Sequence, residues 1–221
     1  MENKKVAILL SGCGYLDGSE INEVVLTLLA LDRLGVSYEG VVLDKKQVHV
    51  INHVSMEDSV SSERNMLEES ARIMRGNVKG LSDIDASDYA AVIIPGGFGM
   101  AKNLSDFAFA ENGGYSVDES VLEFLKAICE SKKPMGFLCI APIIIPHVYP
   151  EGVKMTIGND KDIAQLITSK GAKHIDCLVD EICYDERHKV ISTPAYMLGK
   201  NNYEVSKGID RLVKTLTSLI V

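Results

Sequence analysis

The sequence predicts an α/β fold, with a mainly parallel sheet covered by helices on both faces. Two observations carry this. Short apolar runs of the length of buried strands (Val6–Leu10, Tyr89–Ile94 and the run that ends at Leu138) recur along the chain. Between them lie segments with apolar residues at helical spacing, and strand–helix alternation of this kind builds parallel βαβ units.

Taken in order, Val6–Leu10 is a strand buried on both faces, and Ser11-Gly-Cys-Gly14 turns the chain. Ser19 is placed to cap a helix carrying Ile21, Val24, Val25, Leu28 and Leu29 on one apolar face, and Gly35 ends it. Tyr38–Leu43 reads as a second strand and His49–Val54 as a short extended piece. Ser61–Asn65 opens a polar helix reaching Arg75, and Asp83–Asp88 is acidic and turn-rich. Tyr89–Ile94 is a third buried strand, closed by Pro95-Gly-Gly-Phe-Gly99. After a polar connection through Asn112-Gly-Gly114, a helix carries Val121, Phe124, Leu125 and Ile128, and Lys132-Lys-Pro134 turns into the strand before Cys139. Asp160–Lys170 is a further helix, stopped by Gly171. Ile182–Tyr184 and Val190–Thr193 form a hairpin, and the last helix presents Val205, Ile209, Leu212, Val213, Leu216 and Leu219. No linker or shift in composition interrupts the chain, so residues 1–221 form a single domain.

Composition narrows the function classes. With 46% apolar and 24% charged residues, a chain of 221 residues buries a sizeable core without staples. A net charge of −8 and the lack of a basic stripe argue against nucleic acid as a partner. The longest apolar runs are too short to cross a membrane. Met1–Lys5 leads straight into Val6–Leu10, which is shorter than a signal-peptide core and has no cleavage site after it, so the expected localisation is cytoplasmic. The odd set Cys13, Cys129, Cys139, Cys177 and Cys183 contains no C-x-x-C pair, and the five histidines form no H-x-x-x-H pair. Neither a disulfide framework nor a bound metal is expected.

Chemistry concentrates where strands end, because sites in open parallel sheets lie at the strands' C-terminal edge. Met135-Gly-Phe-Leu-Cys-Ile-Ala-Pro142 is an apolar run ending in a cysteine, with a short apolar segment beyond. A nucleophile elbow needs this order of strand, sharp turn and helix, and a helix N-terminus aimed at the sulfur favours thiolate. The other reading of Cys139 is a buried structural cysteine. Glu20 opens the first helix, either as plain helix-end electrostatics or as a proton-transfer partner for Cys139. Pro95-Gly-Gly-Phe-Gly99 lets backbone N–H groups approach a site closely, so Gly96, Gly97 and the Ile140 N–H are candidates for an oxyanion hole. His53, in a polar segment, is either a base or a surface residue. Gly12-Cys-Gly14 lacks the third glycine of a dinucleotide fingerprint, since Asp17 stands there.

Together these residues resemble the ThiJ/PfpI superfamily, which is related to the class I glutamine amidotransferase domain. The likeness is stronger to its ElbB-type branch of isoprenoid biosynthesis glyoxalases. It rests on Ser11-Gly-Cys-Gly14, Asp17-Gly-Ser-Glu20, Val50-Ile-Asn-His53, Pro95-Gly-Gly-Phe-Gly99, Ala101-Lys-Asn-Leu104, Cys139-Ile-Ala-Pro142, Thr156-Ile-Gly158 and Thr193-Pro-Ala-Tyr-Met-Leu198. The resemblance implies a flavodoxin-like three-layer sandwich, usually a homodimer. It implies Cys139 as nucleophile, Glu20 as its carboxylate neighbour and Gly97 with Ile140 as oxyanion donors. It also implies a weak glyoxalase activity, independent of glutathione and of any cofactor, that converts the small aldehyde glyoxal to glycolate. The departures bear on this. The usual G-x-C-x-G elbow has Phe137 and Ala141 at its flanks here. Amidotransferases keep a Cys-His-Glu triad, but no histidine follows Cys139 directly, since Ile140 is there, and the downstream stretch where many relatives place one reads Met155-Thr-Ile-Gly-Asn159. His147 lies eight residues past Cys139, about 12 Å along a helix at ~1.5 Å per residue. Glutamine hydrolysis is therefore not expected. The alternative to a glyoxalase is a redox-responsive protein that senses oxidants through Cys139.

Overall fold

The computed structural model describes residues 5–110 and 114–220. Asn112 and Gly113 of the polar connection lie outside them. In chain order the elements are β1 (Lys5–Leu10), α1 (Ile21–Arg33), β2 (Tyr38–Val42), β3 (Ile51–Asn52), β4 (Glu57–Asp58), α2 (Met66–Ile73), β5 (Val78–Gly80), β6 (Tyr89–Ile94) and α3 (Phe98–Lys102). They continue with α4 (Glu119–Glu130), β7 (Met135–Leu138), α5 (Ile145–Val148), β8 (Lys154–Met155), α6 (Lys161–Ser169), β9 (Lys173–His174), β10 (Cys183–Asp185), β11 (Val190–Thr193) and α7 (Asn202–Ser218). Seven strands form the central sheet in the order β10-β11-β7-β6-β1-β2-β5. Every pair is parallel except β10 with β11, which is the expected hairpin.

The order reads outward from β1 in two directions. The connection through α1 moves to β2 on one side, and the one through α4 moves from β6 to β7 on the other. Right-handed crossovers therefore put α1 and α4 on opposite faces, which gives three layers. The flavodoxin-like α/β sandwich is the fold of this chain. The centre is apolar: Val6 through Leu10 and Ala91 through Ile94 are fully buried, and Gly136 leaves room for Leu212 and Leu216 of α7. Among the described residues no helix is long and apolar enough to cross a membrane.

Two local expectations need correcting, and one edge strand was not foreseen. The N-cap of α1 is Glu20, whose side chain accepts the Glu23 N–H, while the Ser19 hydroxyl accepts the Ser11 N–H at 2.9 Å. The buried side of α1 is Glu23, Val24, Thr27, Ala30 and Leu31, whereas Ile21, Val25 and Leu29 of the expected apolar face are each more than 40% exposed. Finally, the stretch between Gly76 and Asp83 supplies the edge strand β5, which pairs with β2 through Val78, Lys79 and Gly80.

Candidate active site at the Cys139 elbow

The loops after β1, β6 and β7 converge at the sheet's C-terminal edge. Cys139 follows β7 directly and has φ 56°, a left-handed conformation that a side chain adopts at a cost of roughly 1–2 kcal/mol. Its N–H donates to the Thr193 carbonyl at 3.1 Å, which ties the elbow to the end of β11. The chain then runs into a 3₁₀ turn over Ala141–Ile144 and the four-residue α5, so no long helix points its N-terminus at the sulfur.

A carboxylate bonds the sulfur, and it belongs to Glu23. Glu23 is fully buried. Its Oε2 accepts the Gly96 N–H at 2.7 Å, its Oε1 accepts the Tyr196 N–H at 3.1 Å, and it pairs with the Cys139 side chain. One side chain thus joins α1, the Pro95-Gly-Gly97 turn, the elbow and the segment after β11. The N–H groups of Gly97 and Ile140 also point at Sγ. Gly96 is required by the close approach: a β-carbon there would overlap Cys139 Cβ and lie 2.9 Å from both Cys139 Sγ and Glu23 Oε2.

Glu20, the expected partner, is therefore displaced from that role. Its Oε2 accepts the Glu23 N–H at 2.6 Å and its Oε1 accepts Asn22 Nδ2 at 3.0 Å. It caps α1 and forms part of the cavity wall. The physical reason is helical rise: Glu23 sits one turn further in, on the face that meets the sheet. Gly96, Gly97 and Ile140 are brought to the sulfur. His53 is not. Its Nδ1 lies 3.0 Å from the Ile51 carbonyl, its Nε2 accepts the Leu16 N–H at 3.4 Å, and its ring meets Tyr15 edge-on. His147 packs against the Tyr115 ring, and no histidine lines the cavity among the described residues.

The electrostatics differ from a thiolate elbow. Burial pushes the Cys139 thiol well above its ordinary value, and the neighbouring Glu23 charge adds to this, against the smaller opposing effect of the two N–H groups. Burial first, then the Glu20 charge, raises Glu23 to about 7. Burial also raises Glu20. The resting pair is thus a thiol whose S–H donates to a carboxyl group of unusually high proton affinity.

Stability should follow from this. The folded Glu23 value lies above its ordinary 4.5, so the folded protein holds an extra proton between those two pH values. The contribution is complete below about pH 4.5 and is lost as pH rises through about 7, a fall of roughly 3 kcal/mol from this group. Urea unfolding between pH 5 and 8 checks it. Glu23→Gln should flatten the fall, and an unchanged profile in that variant would contradict the assignment.

Beside Cys139 opens a cavity of about 790 Å³. Its polar lining includes Glu20, Asn22 and Asp160, and much of the rest is aromatic or aliphatic. Sequence reasoning missed Glu23 and Tyr196. The available signal for Glu23 was a charge sharing a helical face with Val24, Thr27 and Leu31.

The sequence matches the DJ-1/PfpI family over residues 4–192. It is 38% identical to the ES1 protein homolog, mitochondrial, of Rattus norvegicus over 224 residues, covering 97% of this chain and 84% of that protein. The crystal structure of an isoprenoid biosynthesis protein with amidotransferase-like domain from Ehrlichia chaffeensis superposes with a TM-score of 0.91 at 33% identity, covering 99% of this chain and 100% of that one. Glyoxalase III from Candida albicans, at 14% identity and a TM-score of 0.63 over 99% of this chain and 98% of that one, shares the fold. With a family match that spans the elbow, the Pro-Gly-Gly turn and both glutamates, the chain belongs to the DJ-1/PfpI family.

Proposed function

We propose that this protein is a glutathione-independent glyoxalase that converts glyoxal to glycolate through Cys139. The observation that carries the reading is the Cys139 sulfur, held by the Glu23 carboxyl and two backbone N–H groups at the wall of a cavity. In the proposed reaction the sulfur adds to one carbonyl carbon as its proton passes to Glu23, and the N–H groups of Gly97 and Ile140 stabilise the alkoxide. That oxygen takes the proton back, which gives a hemithioacetal. Glu23 then removes the hydrogen on the sulfur-bearing carbon and returns a proton to the second carbon, through an enediol. The product is a thioester of glycolate, which water hydrolyses to glycolate and the free thiol. Every step uses the chain's own groups and water.

Two features favour this over the alternatives. Glutamine hydrolysis in amidotransferases uses an imidazole, and none lines this cavity among the described residues. A cavity of about 790 Å³ opens beside the sulfur, room that a substrate fills and that a small oxidant does not need. The exposed stripe Ile21, Val25 and Leu29 on α1 supports a homodimer as the working form.

The test is product analysis with the unmodified protein in D₂O. Glyoxal should give glycolate carrying deuterium at its methylene carbon, and glutamine should stay intact. No conversion of glyoxal, or release of ammonia from glutamine, would refute the reading.

A further inference from the structure

We propose that the preferred substrate is an α-oxoaldehyde whose second carbonyl carries an aryl group without an anionic substituent, ahead of glyoxal itself; this rests on the glyoxalase reading of Cys139. The cavity carries the inference. Its volume of about 790 Å³ lies within the ~300–1,000 Å³ of sites that enclose drug-sized ligands, far more than two joined carbonyl groups fill. Its walls present Tyr15, Phe98, Phe107, Tyr196, Ile163 and Met197. Phe98 adjoins Gly97 and is 48% exposed, an apolar ring left without full cover beside the sulfur's backbone donors. An aryl group stacked there would bury that ring as well as itself.

Charge sets the second limit. Glu20 and Asp160 line the cavity, and no lysine, arginine or histidine does so among the described residues. Lys102 is held by the Leu16 carbonyl at 2.9 Å, with its ammonium 5.7 Å from the centre of the Phe98 ring. A carboxylate or phosphate on the substrate would meet two like charges with no lining cation to offset them. The aryl group must therefore carry no anionic substituent.

The chemistry is that of the smaller substrate. With phenylglyoxal, Cys139 Sγ bonds to the aldehyde carbon, and the hydrogen on that carbon passes through Glu23 to the carbon bearing the ring. Water then cleaves the thioester to mandelate and the free thiol. Delivery of the proton from one side makes a single mandelate enantiomer.

The experiment compares glyoxal, phenylglyoxal and 4-carboxyphenylglyoxal with the unmodified protein. We expect kcat/KM for phenylglyoxal at least tenfold above glyoxal, mostly through KM, with 4-carboxyphenylglyoxal at least tenfold below phenylglyoxal. Phe98→Ala should collapse the phenylglyoxal-to-glyoxal ratio. A separate arm measures binding of benzaldehyde and 4-carboxybenzaldehyde to Cys139→Ala by NMR titration, with the neutral compound expected at least tenfold tighter. Equal binding of the two overturns the charge argument. Turnover of glyoxal without preference for phenylglyoxal refutes the proposal alone. A binding preference with no turnover of any dicarbonyl refutes the glyoxalase reading, and with it the proposal as a statement about substrate.

Discussion

Cys139→Ala is expected to abolish glyoxal turnover, with a loss of at least 10³-fold in kcat/KM measured by glycolate formation. The proposed route passes through covalent bonds to sulfur, and no other cysteine lines the cavity among the described residues. The fold should persist. The substituted residue keeps the left-handed φ of 56° that Cys139 already adopts, and the Cys139 N–H to Thr193 carbonyl bond does not involve the side chain. A loss of activity with an unchanged unfolding midpoint thus reports chemistry. Full turnover in the variant would remove Cys139 from the mechanism.

Gly96→Ala is expected to lower both stability and activity. The new β-carbon overlaps Cys139 Cβ and crowds Glu23 Oε2 at 2.9 Å. Neither neighbour has room to move, since Cys139 is fixed by Thr193 and Glu23 by the Gly96 and Tyr196 N–H groups. Overpacking of this kind costs about 1–3 kcal/mol. Shifting the sulfur against its donors should also lower kcat/KM by roughly 10²-fold. Urea midpoints and glyoxal kinetics on the same preparation check both. A variant as stable and active as the parent would show that the turn does not press on the sulfur.

The layers of the fold were legible because apolar periodicity reports burial directly. Val6–Leu10, Tyr89–Ile94 and the hairpin around Asp185 gave themselves away in this manner. The three-residue strand β5 did not, because an edge strand that short carries no period. The elbow was legible from one cysteine at a strand end, and the positive φ of Cys139 is its structural counterpart. The proton partner was misassigned for a specific reason. Glu20 and Glu23 both stand at the start of α1, and a sequence does not state which one caps the helix and which turns inward. Ile21, Val25 and Leu29 form a convincing apolar face on paper, so they drew the helix round and hid Glu23 on the opposite register. Its burial becomes intelligible only with Gly96 N–H, Tyr196 N–H and the Cys139 sulfur in place, all of them distant in the chain.

The proposed reaction requires that Glu23, and not Glu20, serve the Cys139 sulfur. It is tested most directly by the kcat/KM of Glu23→Gln and Glu20→Gln for glyoxal, measured side by side. We expect a loss of roughly 10²–10⁴-fold for Glu23→Gln, the scale of a lost general base, and under tenfold for Glu20→Gln. The reverse order, or equal losses in the two variants, would contradict it.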